Sequence, residues 1–261
     1  MTSILDKILE KKRVRVEEAA RKVPFSELEK ALQNAPDAPS FFDALTPKNS
    51  KPAVIAELKK ASPSRGLIRE NFDAQSLAKC LEKSGAAALS VLTEEDFFLG
   101  CLENLKIAKS AVKKIPLLRK DFIFCKYQLL EAKIAGASAA LLIARMLDEK
   151  TLKELLSYAE EIGLDILCET HNAKEIETSI NCGAKIIGVN SRDLATFKTD
   201  ISSLSALLKL IPNRCKKVAE SGINTAAELD MMMRAGADAC LIGSALMEKP
   251  DPAQALQTLL L

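Results

Sequence analysis

Residues 53–66 of this chain are Ala-Val-Ile-Ala-Glu-Leu-Lys-Lys-Ala-Ser-Pro-Ser-Arg-Gly. The apolar run Ala53–Ala56 predicts a short buried strand, and the Ser-Pro-Ser-Arg-Gly segment is typical of a loop. Glu57 and Lys59 stand where the strand ends, and residues two apart on a strand project to the same face. Burying a carboxylate and an ammonium is costly unless they are paired or used. The two residues are therefore either a structural ion pair or part of a functional site.

An apolar strand followed by a helix recurs along the chain after residue 52. We predict strands at Ala53–Ala56, Ala87–Leu92, Ile115–Leu118, Ala139–Ala144, Asp165–Cys168, Lys185–Val189, Lys217–Ala219 and Ala239–Ile242. Many of the intervening helices end at a glycine typical of a left-handed C-cap: Gly85, Gly136, Gly163, Gly183 and Gly236. About eight such units predict an α/β fold with parallel strands, closed into a (β/α)8 TIM barrel. An open doubly wound sheet is the alternative, which the number of units disfavours.

The first 45 residues precede these units, and we predict that they form a helical extension within a single barrel domain spanning residues 1–261. Apolar residues recur at helical spacing over residues 4–9, and Pro24 ends or kinks this helix. Ser26 with Glu29 resembles a capping box for a second helix. We expect the extension to cover part of a barrel opening. The basic run at 11–15 is a solvated helix face or a part of that cover.

The composition excludes several classes of function. Lys and Arg number 37 against 35 Asp and Glu, so nothing favours binding to nucleic acid or to an anionic membrane. No apolar stretch is long enough to span a bilayer, and the N-terminus lacks an apolar signal core. Seven scattered cysteines, no CxxC and a single histidine argue against a zinc site or a disulfide framework. We therefore expect a cytoplasmic protein with reduced thiols and no metal, which is a monomer or a weak homodimer.

Nearly every predicted strand ends in charged or amide side chains. These are Glu57 and Lys59, Thr93 and Glu94, Arg119 to Asp121, Arg145, Glu169, Asn190 with Arg192 and Asp193, and Glu220 to Gly222. The carboxyl ends of the strands meet at one mouth of a barrel, where barrel enzymes place their chemistry. So many charges on one rim need partners or a ligand.

Two of these loops predict a phosphate site. Ser221 and Gly222 follow the seventh strand, and Gly243 and Ser244 follow the eighth, at the start of a short helix. Glycine lets backbone N–H groups approach an anion, and these two loops are the usual phosphate site of this barrel class. Ordinary glycine turns are the alternative.

Four segments together resemble the indole-3-glycerol-phosphate synthase family of tryptophan biosynthesis. They are Glu57-Leu-Lys-Lys-Ala-Ser-Pro-Ser64, Leu118-Arg-Lys-Asp-Phe-Ile123, Gly188-Val-Asn-Ser-Arg-Asp-Leu194 and Val218-Ala-Glu-Ser-Gly-Ile223. The resemblance covers essentially the whole chain. Because the chain stops soon after its eighth unit, it resembles the monofunctional form of the family. It implies a carboxy-lyase that converts 1-(2-carboxyphenylamino)-1-deoxyribulose 5-phosphate into indole-3-glycerol phosphate, CO2 and water, without a cofactor.

The resemblance also implies roles for five residues in acid–base chemistry. Lys120 would be the general acid toward the ketone oxygen, and Glu169 the general base of the dehydration. Lys59 would hold the substrate carboxylate and is available as the acid of the dehydration. Glu57 would orient a lysine, and Asn190 would position the substrate. A dry mouth and the cations of Arg119 and Lys59 would lower the pKa of Lys120, and neighbouring carboxylates would oppose that shift.

The remaining implied residues bind substrate. Arg192 would contact the carboxylate or the sugar hydroxyls, and Glu220 lies beside the phosphate loop. Ser62, Ser221, Gly222, Gly243 and Ser244 would take the phosphate. Pro63, Phe98, Phe122, Leu141 and Leu194 match an apolar slot for the aromatic ring, although phenylalanine and leucine are as common in cores.

Three positions depart from the family pattern or lack a role in it. The chain has no tryptophan, whereas some relatives place one against the ring, so Phe41, Phe42 or nothing takes its place. Arg145 contacts phosphate or a hydroxyl, or forms a salt bridge on the rim. His171 caps the following helix, the favoured interpretation, or assists proton transfer.

Two other functions remain as alternatives. One is the isomerase that makes this same substrate, which needs a Cys and Asp acid–base pair with the cysteine near the first strand end, where this chain has none. The other is a catalytically inactive phosphate-binding barrel. Such a protein would have lost one of Lys59, Lys120 and Glu169, and all three are present.

Overall fold

A computed structural model of the chain describes residues 3–47, 53–192 and 201–261. Its eight main strands are β1 (Ala53–Leu58), β2 (Ala88–Leu92), β3 (Leu117–Lys120), β4 (Ala139–Ile143), β5 (Asp165–Thr170), β6 (Ile186–Asn190), β7 (Lys216–Glu220) and β8 (Ala239–Ile242). Each strand is parallel to the next in the chain, and β8 pairs with β1 through Ala53 opposite Ala239. The sheet is therefore a closed (β/α)8 barrel, as predicted, and not an open sheet.

Helices cover the outside and the two ends of this barrel. They are α1 (Ile4–Lys22), α2 (Phe25–Leu32), α3 (Phe41–Ala44), α4 (Ala74–Lys83), α5 (Leu102–Ala111), α6 (Lys126–Ile134), α7 (Glu149–Glu161), α8 (Ala173–Asn181), α9 (Ile201–Leu208), α10 (Ala226–Arg234), α11 (Ser244–Met247) and α12 (Pro252–Leu259). A short hairpin, Ala61–Ser62 with Gly66–Leu67, follows β1, and a 3-10 turn, Ala144–Met146, follows β4. None of the helices described here combines the length and apolarity needed to cross a membrane.

The predicted glycine caps set the helix ends. The five glycines have φ between 65° and 98°, in the left-handed region where only glycine avoids a steric penalty. After Gly136, for example, Ser138 donates its N–H to Leu117 O and the chain enters β4 directly. Local sequence therefore determines where most helices stop and the next strand begins.

Five strands, namely β1, β3, β5, β6 and β7, end later than their apolar runs predict. β1 continues through Glu57 to Leu58, and β3 continues through Arg119 to Lys120. These charged side chains find partners inside the fold: the Arg119 guanidinium, for example, donates to Gln128 O at 2.8 Å and to Asp121 Oδ2 at 3.1 Å. Hydropathy alone underestimates strand length where buried charges are paired.

The start of α2 differs from its prediction. The helix begins at Phe25 with Pro24 as its N-cap residue, and Ser26 lies inside it without a capping bond. The Pro24 carbonyl accepts from Glu27 N at 2.9 Å and Leu28 N at 3.3 Å, so the backbone of the proline already opens the helix. The capping-box interpretation was wrong.

The N-terminal extension contacts both ends of the barrel. Ile8 of α1 is buried in the cluster that fills the barrel interior, and so are Phe41 and Leu45 around α3. The N–H groups of Phe41 and Phe42 donate to Asp165 Oδ2 at 3.1 and 3.0 Å, and Asp165 is the first residue of β5. These two phenylalanines therefore close the amino end of the barrel and do not replace a tryptophan in the substrate site, because that site lies at the other end.

Candidate active site

The carboxyl ends of the strands surround one pocket. It is lined by Glu57, Lys59, Ser62, Pro63, Phe98, Lys120, Phe122, Leu141, Glu169, Asn190, Arg192, Glu220, Ser221, Gly222, Gly243 and Ser244. These are all the predicted site residues except Leu194, which lies outside the described residues. Further residues of the wall were not predicted as site residues: Ile4, Leu5 and Ile8 of α1, Ser64 and Arg65 of the hairpin, and Ile223 and Asn224 after β7.

Not every charged strand end faces the pocket. Successive side chains of a strand point in opposite directions, so Lys120 lines the pocket while Arg119 pairs with Asp121 and Glu131 on the helix side. Glu94 accepts N–H groups of its own loop from Phe97 and Phe98. The rim charges thus divide into a functional set and a structural set.

Lys120 stands at the centre of the pocket charges. Its Nζ is 2.9 Å from Glu169 Oε2 and 3.6 Å from Glu220 Oε2. Burial would lower the pKa of Lys120, but the charges of Glu169, Glu220 and Glu57 outweigh it and raise that pKa above its usual range. The expected lowering of the pKa of Lys120 was wrong, because the opposing effect of the neighbouring carboxylates is the larger one.

Glu169 is held as a carboxylate. Its Oε1 accepts from Asn190 Nδ2 at 3.1 Å, and its Oε2 contacts the Lys120 ammonium. Burial alone would raise the pKa of Glu169, but the charges of Lys120 and His171 overcome it and lower that pKa to about 2. An ionised carboxylate in a buried pocket is the form that a general base requires.

The pKa of Glu220 shifts in the opposite direction from that of Glu169. Burial, followed by the charge of Glu169, raises the pKa of Glu220 above its usual range, although Lys120 opposes the shift. Its Oε1 has no hydrogen-bond partner among the residues that the structure describes. Gly188 of β6 makes room for this carboxylate, since a Cβ at Gly188 would overlap Glu220 Oε1. A glycine inside an apolar strand is the sequence signal that could have pointed to this close approach.

Glu57 and Lys59 form the ion pair that the sequence leaves open, and they do so inside the pocket. Lys59 Nζ is 2.5 Å from Glu57 Oε2. Burial raises the pKa of Glu57, but Lys59 and Lys120 outweigh it and the net shift is downward. A Cβ at Gly243 would overlap the Glu57 carboxylate and lie 3.0 Å from Lys59 Nζ, so the phosphate loop and this pair are in contact.

Two donors in the pocket lack partners in the described part of the chain, namely Arg192 Nε and Ser244 Oγ, both of which are buried. Native structures satisfy nearly all buried polar atoms, so such atoms indicate a ligand. Ser221 and Gly222 have φ of 68° and 80°, and a non-glycine residue is strained in that region. Such strain persists where the surrounding structure imposes it, and it is frequent at ligand sites.

The apolar side of the pocket contains two aromatic rings. The ring centroids of Phe98 and Phe122 are 6.0 Å apart at 42°, and Leu141 is buried beside them in the interior cluster. Ile8 of α1 belongs to the same cluster. Phe122 and Leu141 thus serve the core and also form a wall of the pocket.

Residues 5–259 match the family described as indole-3-glycerol phosphate synthase. The chain belongs to this family. It is 44% identical over 262 residues to an indole-3-glycerol phosphate synthase of Carboxydothermus hydrogenoformans, covering 98% of this chain and 99% of that one. It is 45% identical over 258 residues to the protein of the same name from Campylobacter jejuni subsp. doylei, covering 98% and 100%. The match confirms the resemblance and supports the expected carboxy-lyase activity of tryptophan biosynthesis.

Solved structures show the fold independently. The chain resembles 3-hexulose-6-phosphate synthase from Salmonella typhimurium with a TM-score of 0.63 at 15% identity, covering 80% of this chain and 98% of that one. At that identity the likeness supports the barrel alone.

Relative to the indole-3-glycerol phosphate synthase pattern, Arg145 and His171 can now be placed. Arg145 Nη2 is 3.4 Å from Glu175 Oε1 and does not line the pocket, so it forms the rim salt bridge. The N-cap of α8 is Asn172, whose Oδ1 accepts from Glu175 N at 2.9 Å. The capping role expected for His171 was therefore wrong, and its ring lies between Glu169 and Glu175.

The basic run of α1 attaches this helix to the loops at the mouth. Lys12 is 3% exposed, and its Nζ lies 2.7 Å from Glu95 Oε2 and 2.9 Å from Asp121 Oδ1. Arg15 Nε is 2.6 Å from Asp96 Oδ2. These contacts favour the cover interpretation over a solvated face, because they hold α1 where Ile4, Leu5 and Ile8 reach the pocket.

Proposed function

We propose that this pocket converts 1-(2-carboxyphenylamino)-1-deoxyribulose 5-phosphate into indole-3-glycerol phosphate, CO2 and water by acid–base catalysis. The observation that carries the proposal is the Lys120 ammonium, 2.9 Å from the Glu169 carboxylate in a pocket that also contains the Ser244 hydroxyl and Arg192 Nε, neither of which has a partner among the described residues. An acid, a base and two anion-binding groups face one space. The substrate has a ketone, a carboxylate and a phosphate to match them.

Lys120 supplies the proton for ring closure. The ring carbon that bears the carboxylate forms a bond to the ketone carbon, and the ketone oxygen takes a proton from the ammonium to become a hydroxyl. The raised pKa keeps Lys120 charged until the oxygen develops alkoxide character, and at that stage transfer becomes favourable. The C–CO2 bond then breaks, and its electron pair restores the aromatic ring.

Dehydration uses the remaining pair of groups. Lys59 donates a proton to the hydroxyl, which leaves as water, and Glu169 removes a proton from the ring system as the double bond forms. Glu57, 2.5 Å from Lys59 Nζ, orients that ammonium. Glu169 is ionised by its surroundings and so is ready to accept. The two steps therefore use different acids.

The substrate ends are bound at opposite sides of the pocket. Arg192 and Lys59 take the carboxylate, and Asn190 takes a sugar hydroxyl. Ser62, Ser244 and the backbone of 221–222 and 243 take the phosphate. The aromatic ring lies against Pro63, Phe98, Phe122 and Leu141, and Ile8 of α1 lines the same pocket. Leu194 stays a prediction for this slot, and Glu220 stays a predicted contact beside the phosphate loop.

The competing functions have less support. No cysteine occurs among the pocket residues of the described ranges, so the acid–base pair of the isomerase has no candidate there. An inactive barrel has no need of four buried charges that converge on one space. A small-molecule enzyme of this family fits the near-neutral charge, and we propose that it works in the cytoplasm as a monomer or weak homodimer.

One assay tests the proposal directly. The protein is incubated with the carboxyphenylamino-deoxyribulose phosphate while indole fluorescence and CO2 are recorded together. We expect equal amounts of both products. Lys60→Met is a matched control, because Lys60 follows Lys59 in the chain but does not line the pocket. Absence of both products from the wild-type protein would overturn the proposal.

A further inference from the structure

His171 has a buried position between two carboxylates that the proposed mechanism does not use. Its side chain is 5% exposed, with Nε2 3.5 Å from Glu169 Oε1 and Nδ1 3.4 Å from Glu175 Oε2. Neither ring nitrogen makes a hydrogen bond of good geometry to any residue in the described ranges. A buried polar ring aimed at the proposed base requires a physical explanation.

Glu175 cannot turn away from this ring. It accepts the backbone N–H of His171 at 2.7 Å and Asn172 Nδ2 at 2.7 Å, and it pairs with Arg145 at 3.4 Å. The imidazole therefore has a fixed carboxylate on one side and Glu169 on the other. A ring nitrogen that carries a hydrogen presents a donor to the carboxylate that it faces. The next charges along this line are Lys120 beyond Glu169 and Arg145 beyond Glu175.

This arrangement matters once Lys120 has acted. When Lys120 gives its proton to the ketone oxygen it becomes a neutral amine, and Glu169 loses the cation 2.9 Å away. Among the described residues, His171 is then the remaining group with a basic nitrogen within ion-pair distance of Glu169. Glu169 must nevertheless stay ionised, because it removes a proton in the later dehydration.

We infer that His171, whose Nε2 lies 3.5 Å from Glu169 Oε1, is a positioning residue that keeps the Glu169 carboxylate ionised and oriented after Lys120 has transferred its proton. The inference rests on the roles proposed for Lys120 and Glu169. It predicts a defect confined to the dehydration. It also predicts that the defect grows as the pH falls, because a carboxylate without a neighbouring cation is protonated at higher pH.

The test replaces the ring by a neutral donor. His171→Gln should release CO2 in a single turnover at the wild-type rate, but form the indole product several-fold more slowly. The acidic limb of its pH profile for indole formation should move upward by about one pH unit, which is a tenfold change in protonation. Lys174→Gln, which removes an exposed lysine from α8, the helix that follows His171, is the matched control and should behave as wild type. His171→Asn is measured in parallel, so that a folding defect of one variant does not decide the result.

Two outcomes would overturn the inference. The first is an unshifted acidic limb with normal indole formation in both His171 variants. The second is a loss of CO2 release equal to the loss of indole formation, which would indicate a general structural role. Failure of the proposed function is distinguishable, since the wild-type protein would then form neither CO2 nor indole product whatever the His171 variants do. Failure of the role of Glu169 alone would appear as indole formation at the wild-type rate in Glu169→Gln.

Discussion

Replacing Lys120 by methionine removes the ammonium that lies between Glu169 and Glu220, and it should affect stability and catalysis in separable ways. The Nζ atom is 2.9 Å from one carboxylate and 3.6 Å from the other, and both carboxylates are buried. Removing one partner of a buried ion pair leaves an uncompensated charge and typically costs about 3–5 kcal/mol. We expect Lys120→Met to lose about that much free energy of unfolding near neutral pH.

The direction of the pH dependence follows from Glu169. Its pKa in the folded protein is lowered to about 2, so its ionic contribution is present above the ordinary value of 4.5 and is lost as the pH falls toward 2. Methionine removes the main cause of that lowering, and Glu169 in the variant is protonated at higher pH. The stability difference between wild type and variant should therefore be largest near neutral pH and shrink below about pH 5. Urea unfolding at several pH values measures it.

The catalytic effect should appear before decarboxylation. Methionine keeps most of the side-chain length but cannot donate a proton, and general acid catalysis is typically worth ~10²–10⁴-fold. Lys120→Met should therefore stall before CO2 is released. Glu169→Gln should still release CO2 in a single turnover, yet form indole slowly. Stopped-flow fluorescence combined with a CO2 assay separates the two variants, with Lys60→Met as the control.

Two results would refute this reasoning. If both variants block CO2 release equally, the assignment of Lys120 to ring closure and Glu169 to dehydration is wrong. If the loss of stability in Lys120→Met does not change with pH, the electrostatic account of the pocket is wrong.

Four other changes test the remaining features of the site. Ser244→Asp should raise KM at least tenfold, because a like-charge repulsion of about 1.4 kcal/mol between the aspartate and the phosphate corresponds to a tenfold change in binding. An unchanged KM would remove Ser244 from the phosphate site. Gly188→Ala should lower kcat because its Cβ overlaps the Glu220 carboxylate, and normal kinetics would argue against that contact. Deletion of residues 1–22 removes the part of the pocket wall that α1 forms but keeps Phe41, which closes the amino end of the barrel. The deletion should therefore lower kcat/KM strongly and change the free energy of unfolding in urea little; wild-type turnover is the contrary result. Activity should survive chelators, and a loss restored by one divalent ion would contradict the metal-free mechanism.

The barrel could be predicted from the sequence because its determinants are local. A glycine such as Gly136 stops a helix through its own backbone freedom, and an apolar run such as Ala139–Ile143 forms a buried strand next to it. Eight repeats of that unit allow few arrangements. The pocket residues followed from the same logic, since Lys120, Glu169 and Glu220 lie at or next to the carboxyl end of a strand and parallel strands end at one mouth.

Tertiary structure decided the interactions that join residues distant in the chain. The pKa of Lys120 rises because carboxylates from β1, β5 and β7 converge on it, and their distances depend on closure of the barrel. Phe41 closes the amino end because Asp165, 124 residues away, accepts its N–H group. Lys12 is buried because Asp121 and Glu95 lie beneath α1. Sequence patterns report backbone preference and hydropathy, whereas the sign of a buried charge interaction depends on angstrom-scale distances that exist only once the chain has folded.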